Sequence, residues 1–244
     1  GEYKHMIMKE LNFTQEGEHL VYETNVYRIT CRKKDIMDAL FCPLIAQTRR
    51  LALLFGISCL PLDCKICIDI MDRNFFEQQK SIFIGKNASS EIVAFSAVRI
   101  CVVSYCALRD KYTLDEYCKV ILHEAVHVLQ QITTRVPLEQ NVWLYEAVAC
   151  YLAGQTAESP QMEKAMPWDT VKQDFYAVPR CYGIAFHLGK ALLSDCPPSD
   201  IVALCSDVPR CEKICAKAYA IQMNHTGFVS LHSEAVFSRK VIVF

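Results

Sequence analysis

His123 and His127 stand four residues apart in the stretch YCKVILHEAVHVLQQ, with Glu124 directly after the first. In a helix each residue turns by about 100°, so side chains four apart project in the same direction, one turn from each other. Two imidazoles placed this way can reach one ion. Glu124 projects roughly a quarter turn away, beside the ion and placed to handle a proton. Two histidine ligands with a neighbouring carboxylate form the arrangement used by zinc hydrolases. In a chain of 244 residues with 7 histidines, the pattern H-E-x-x-H is expected about 0.01 times by chance, so coincidence accounts for it poorly. The competing reading is a buried structural helix with hydrogen-bonded histidines.

A hydrolytic zinc centre takes three protein ligands and keeps one position open. The third candidate is Glu146 in NVWLYEAVACYLAG, with 18 residues between it and His127. From His127 a helix can run seven further residues, about 10 Å at 1.5 Å per residue. The chain then turns near Pro137, and an antiparallel helix brings Glu146 back level with the histidines. A carboxylate in the apolar context WLYEAVA needs a partner, because burying a bare charge is costly. A salt bridge or an exposed helix face would also satisfy it.

HEAVH, the 18-residue gap and WLYEAVACYLAG together resemble the gluzincin zinc peptidases, which include the aminopeptidase N and leukotriene-hydrolase types. The family pattern is H-E-x-x-H, the same gap, then W-L-x-E-G-x-A. Trp143, Leu144, Glu146 and Ala149 match it; Tyr145 and Ala147 stand where Asn and Gly are common. The resemblance covers residues 113–194 and, more loosely, the region before them. It implies a zincin-like fold in a minimal form, and a tyrosine or histidine that steadies the oxyanion. In FYAVPRCYGIAFHLGKALL the first choice for that role is Tyr182, the second Tyr176 and the third His187. Aminopeptidases of the group also carry G-x-M-E-N before the first histidine, whose glutamate grips a free amine. The corresponding stretch here is AFSAVRICVV, with Arg99 and no acid. Arg99 reads as a surface strand residue, or as a cation facing a carboxylate.

The expected function is therefore zinc-dependent peptide hydrolysis. His123, His127 and Glu146 hold Zn2+, which lowers the pKa of a bound water towards ~7. Glu124 acts as general base and then as acid to the departing amine. Tyr182 donates to the oxyanion. A strand within 91–105 pairs with an extended peptide or protein substrate. The alternative is a catalytically inactive, zinc-stabilised binding or regulatory module of the same fold.

The elements that must carry these residues divide the chain into a mixed region with a β-sheet, 1–112, and a helical part with the zinc site, 113–244, an α+β arrangement forming one compact catalytic unit. Strands are expected in HLVYETNVYRIT at 19–30, CKICIDIM at 64–71, SIFIG at 81–85, EIVAFSA at 91–97 and RICVVSYC at 99–106, with a hairpin turn at GKNASS. Residues 34–56 have helical spacing, with Pro43 breaking or kinking the helix. Thr113 and Glu116 form a capping box opening a helix over 114–134. Further helices are expected over 139–153, 181–194, 199–206 and 209–222, with a loop-rich link around Pro160, Pro167 and Pro179. The final VFSRKVIVF reads as a last strand or a docking segment, with core packing as the default.

Composition narrows the partners. With 26 basic and 27 acidic residues the net charge is −1, so no basic field points to nucleic acid. The longest apolar run, AVRICVVSYCAL, contains Arg99 and is too short to span a bilayer. The opening GEYKHMIMKELNF lacks the apolar core of a signal peptide. Most of the 14 cysteines sit in apolar runs, where a reduced thiol acts as a small buried hydrophobe. That favours a reducing, cytoplasmic compartment. The pairs Cys64/Cys67 and Cys211/Cys215 form only a loose zinc pattern. No oligomeric state is legible.

Overall fold

The computed structural model describes residues 13–105, 107, 112–157 and 166–224. Among these are six strands in one mixed sheet and eight α-helices, so the α+β expectation is borne out at that level. The chain divides into two compact units at Val128/Leu129.

The first unit holds the sheet. Its strands are β1 (Phe13–Glu16), β2 (His19–Glu23), β3 (Tyr27–Cys31), β4 (Ile66–Met71), β5 (Ala94–Ala97) and β6 (Ile100–Ser104), in the order β1-β2-β3-β4-β6-β5. β3, β4 and β6 run parallel; β1, β2 and β5 join antiparallel to their neighbours. Because side chains alternate along a strand, the register puts Tyr27, Ile29 and Cys31 beside Ile66, Ile68 and Ile70 on one face. The other face of the same pair carries Thr30, whose hydroxyl donates to Asp69 at 2.6 Å.

Helix α1 (Lys34–Leu54) connects β3 to β4. The Tyr27 hydroxyl donates to the Thr48 carbonyl at 2.9 Å and ties this helix to the first face. The helix runs on through Pro43, so Pro43 does not break it. It stops at Gly56, whose φ of 70° suits a residue without a Cβ. Gly56 N–H donates to Leu53 O and Ile57 N–H to Ala52 O, the double bond of a Schellman cap. Helix α2 (Arg73–Phe83) starts at Asp72, whose carboxylate accepts from Phe75 N–H at 3.0 Å. It covers the second face, where Phe76 packs with Ile92, Phe95 and Val102.

Three local expectations are corrected. HLVYETNVYRIT is two strands, because Thr24 Oγ1 accepts from Val26 N–H and Tyr27 N–H and turns the chain. SIFIG is the end of α2 and not a strand, so GKNASS closes no hairpin; a short apolar run does not itself distinguish helix from strand. Arg99 sits in the turn between β5 and β6 with φ 61°, and its guanidinium donates to the Cys64 carbonyl at 2.9 Å.

Helix α3 (Leu114–Thr134) begins in the first unit and ends in the second. The second unit continues with α4 (Val142–Leu152), α5 (Trp168–Gln173), α6 (Cys181–Leu193), α7 (Ile201–Ser206) and α8 (Val208–Asn224). The expected helices are found within a few residues. The short α5 lies in what was read as a loop-rich link. Part of that link, including Pro160, and the segment VFSRKVIVF lie outside the described residues.

α4 and α6 approach closely. A Cβ at Gly189 would run into the Ala147 carbonyl oxygen and stand 2.6 Å from Tyr151 Cβ. Only the absent side chain of Gly189 permits that approach. Trp143 stacks edge-on against Trp168 at 5.4 Å, and Trp168 meets Tyr219 of α8 at 5.6 Å. The Tyr219 hydroxyl donates to Met166 O at 2.6 Å. The matching tryptophan of the WLYEA stretch is thus an aromatic anchor for α4.

Candidate metal centre

α3 opens on the capping box read from the sequence. Thr113 N–H donates to Glu116 Oε2 at 2.8 Å, and Glu116 N–H donates to Thr113 Oγ1 at 3.2 Å. Asp115 and Glu116 in the first turn also suit the positive end of the helix dipole. From Ile121 to Gln130 every residue is buried. A helix enclosed all round is a core element, and a polar side chain on it is held out of water.

His123, Glu124 and His127 lie in that enclosed stretch, each 0 % exposed. The two imidazoles have centroids 4.6 Å apart and meet at 81°. This is the one-turn spacing anticipated from their positions, with Glu124 next in the chain.

Past α3 the chain is locked by hydrogen bonds. Arg135 adopts φ 56° and ends the helix. Asn141 Nδ2 donates to Pro137 O at 2.8 Å, and the Tyr145 hydroxyl donates to Val136 O at 2.7 Å. These bonds set where α4 starts. On α4, Glu146 is 0 % exposed. The Tyr176 hydroxyl donates to Glu146 Oε1 at 2.8 Å. Tyr176 belongs to the 3-10 turn Phe175–Ala177, and its ring lies 6.3 Å from that of Tyr182 on α6. Tyr182 is itself buried, with Phe175 edge-on to it at 6.3 Å. His187 lies five residues beyond Tyr182 on α6, half-buried.

Among the described residues, His123, Glu146 and Cys150 form a buried group that could hold a metal ion: each offers one ligand atom, and these lie within 4.8 Å of one another. Imidazole nitrogen, carboxylate oxygen and thiol sulfur are the donors zinc takes, so the residues present fit that ion. Neither Cys64/Cys67 nor Cys211/Cys215 belongs to such a group. Burial pushes the Cys211 thiol up to about 12, which works against the thiolate a metal needs.

Two features escaped the sequence reading. Cys150 sits in an apolar run like most of the thiols, yet it follows Glu146 by four residues, the same spacing as the histidines. Tyr176 was ranked as a second choice for the oxyanion, whereas its hydroxyl is on the Glu146 carboxylate. No sequence signal carries that contact, because it depends on where the turn before α6 is folded.

No family model matches the chain, and no curated protein or solved structure is significantly similar to it.

Proposed function

We propose that the protein is a zinc-dependent metallopeptidase of zincin-like fold, with His123, His127 and Glu146 as metal ligands. The observation that carries this reading is the buried group containing His123 and Glu146, with His127 one turn from His123. Bound zinc supplies Lewis acidity towards a carbonyl and a nucleophilic water at neutral pH. Glu124, next to His123, would hold a proton on its carboxylate and pass it to the departing amine. Tyr176 holds Glu146 in one orientation through its 2.8 Å hydrogen bond, as outer partners of metal ligands do. Tyr182 donates to the developing oxyanion, a contribution of ~3 kcal/mol where such donors have been removed. Strand pairing with an extended peptide substrate would fall to β5, which lies at the edge of the sheet although all four of its residues are buried.

The test is metal analysis of the purified protein, followed by mass-spectrometric detection of cleavage in a peptide library. The parent is expected to carry one zinc and to cut. Glu124→Gln is expected to keep the zinc and lose cleavage by a factor of ~10² or more. Equal rates in the two proteins would remove Glu124 as the base.

A second reading is a zinc-stabilised binding or regulatory module without turnover. What favours it is the sulfur of Cys150, which stands with His123 and Glu146 in a buried group that leaves out His127, a donor set different from the His-His-Glu of the first reading. Stoichiometric zinc, no cleavage of any library peptide and tight binding of one partner would select it.

A further inference from the structure

We propose that the carboxyl end of the parallel strands in the first unit is an anion site, which takes a phosphate group between the start of α1 and the start of α2. The proposal goes beyond the metal reading and does not depend on it.

β3, β4 and β6 run parallel and end together at Cys31, Met71 and Ser104. From β3 the chain passes into α1 on the first face of the sheet, and from β4 into α2 on the second face. Where neighbouring parallel strands send their helices to opposite faces, a crevice opens outside their carboxyl ends, and ligands of open α/β sheets bind there. Arg32 and Lys33 reach across this point from the end of β3. The Arg32 guanidinium carbon lies 3.5 Å from the ring centroid of Phe75, in the first turn of α2. Lys33 Nζ lies 5.0 Å from the ring centroid of Tyr105, directly after β6. Two half-buried cations are therefore spread over the ends of all three parallel strands.

Their donors are open to a ligand. A guanidinium resting on a ring keeps the N–H groups of its edge for a forked bond to an anion. Among the described residues, no ion pair uses Arg32, Lys33 or Arg73. Residues 32–35 and 72–73 carry four cations against two acids, and the Asp72 carboxylate is engaged by Phe75 N–H. No side chain caps α1 at Lys33, and Arg32 and Lys33 stand at the positive end of its dipole, where a cation is unfavourable. A bound anion removes that cost. Phosphate, with its double charge and several acceptor oxygens, suits such a donor set.

The experiment titrates the full chain with two probes, inorganic phosphate and adenosine monophosphate, by calorimetry and by amide chemical shifts. Phosphate is expected to bind in the millimolar range or tighter, to shift the amides of residues 31–33, 72–75 and 105, and to bind more weakly as salt is raised. Arg32→Gln and Lys33→Gln are each expected to lose about tenfold in affinity or more, whereas Arg210→Gln, an exposed arginine of the second unit, keeps the parent value. Tighter binding of adenosine monophosphate than of phosphate supports the site as one for a phosphorylated small molecule; equal binding supports it as one for the free anion. Should Arg32→Gln fail to fold, Lys33→Gln and the location of the shifts in the parent decide. Absence of binding by both probes overturns the proposal. So do shifts centred elsewhere, or an equal loss in Arg210→Gln. None of these results bears on zinc content or peptide cleavage, so the peptidase reading stands or falls separately.

Discussion

Under the proposed reading Tyr176 and Tyr182 have different jobs and can be told apart by single substitutions. The Tyr176 hydroxyl is spent on Glu146 Oε1. Removing such an outer partner weakens a metal site by about 10–100-fold. Tyr176→Phe is therefore expected to lower zinc affinity by that factor, read by competition with a chromophoric chelator, and to leave kcat of the fully loaded protein nearly unchanged. Tyr182→Phe should do the opposite, holding zinc normally while kcat falls by about 10²-fold. If the two variants exchange these phenotypes, the oxyanion donor is Tyr176. At this scale the sequence was informative about residue types with fixed spacing along one helix. His123, Glu124 and His127 could be placed because a turn of helix is a constant. Tyr176 could not, because its contact with Glu146 spans 30 residues of turn and loop.

Elements were legible where their ends carry local chemistry. The Thr113–Glu116 box marks the start of α3 through two reciprocal hydrogen bonds, both between residues three apart. α2 was misread over its last turn because Ile82 and Phe83 suit either a strand or a helix end, and the deciding feature, the Asp72 cap, lies ten residues upstream of Ile82. Gly189 is the clearest dependence of one element on another. A methyl group there collides with the Ala147 backbone, which cannot swing aside. Forcing extra volume into a packed interior costs about 1–3 kcal/mol. Gly189→Ala is expected to lose at least that much stability in urea unfolding. It should also lower zinc affinity, because Ala147 adjoins Glu146 in the chain. An unchanged urea midpoint would mean that α6 can retreat from α4 without cost.

For the whole molecule, the buried thiols of the second unit set an alkaline limit. Burial pushes Cys205 and Cys211 up to about 12, and pushes Cys215 up as well. The unfolded chain releases such protons from about pH 8.5. Above that, the unfolded state binds fewer protons than the folded one, so stability falls with rising pH. The contribution is fully present below about pH 8.5 and is lost progressively as pH climbs through the folded values of about 12. The urea midpoint is expected to fall between about pH 9 and 11, and to fall less steeply in Cys205→Ala. A parent and variant with the same slope would show that this thiol does not set the limit. As to membranes, among the described residues no helix is long and apolar enough to cross one.

The enclosure of α3 has a kinetic consequence. His123, Glu124, His127 and Glu146 are each 0 % exposed, so under the proposed reading a peptide substrate and an external scavenger alike reach an ion held among them only when the chain opens. Release has to wait for the chain to breathe, and opening rates of this kind do not depend on what waits outside. Zinc loss is expected to level off at one rate as EDTA is raised in excess, and that plateau should match the slow amide exchange of residues 121–130. Loss that keeps accelerating with EDTA would mean that the ion has a standing door to solvent.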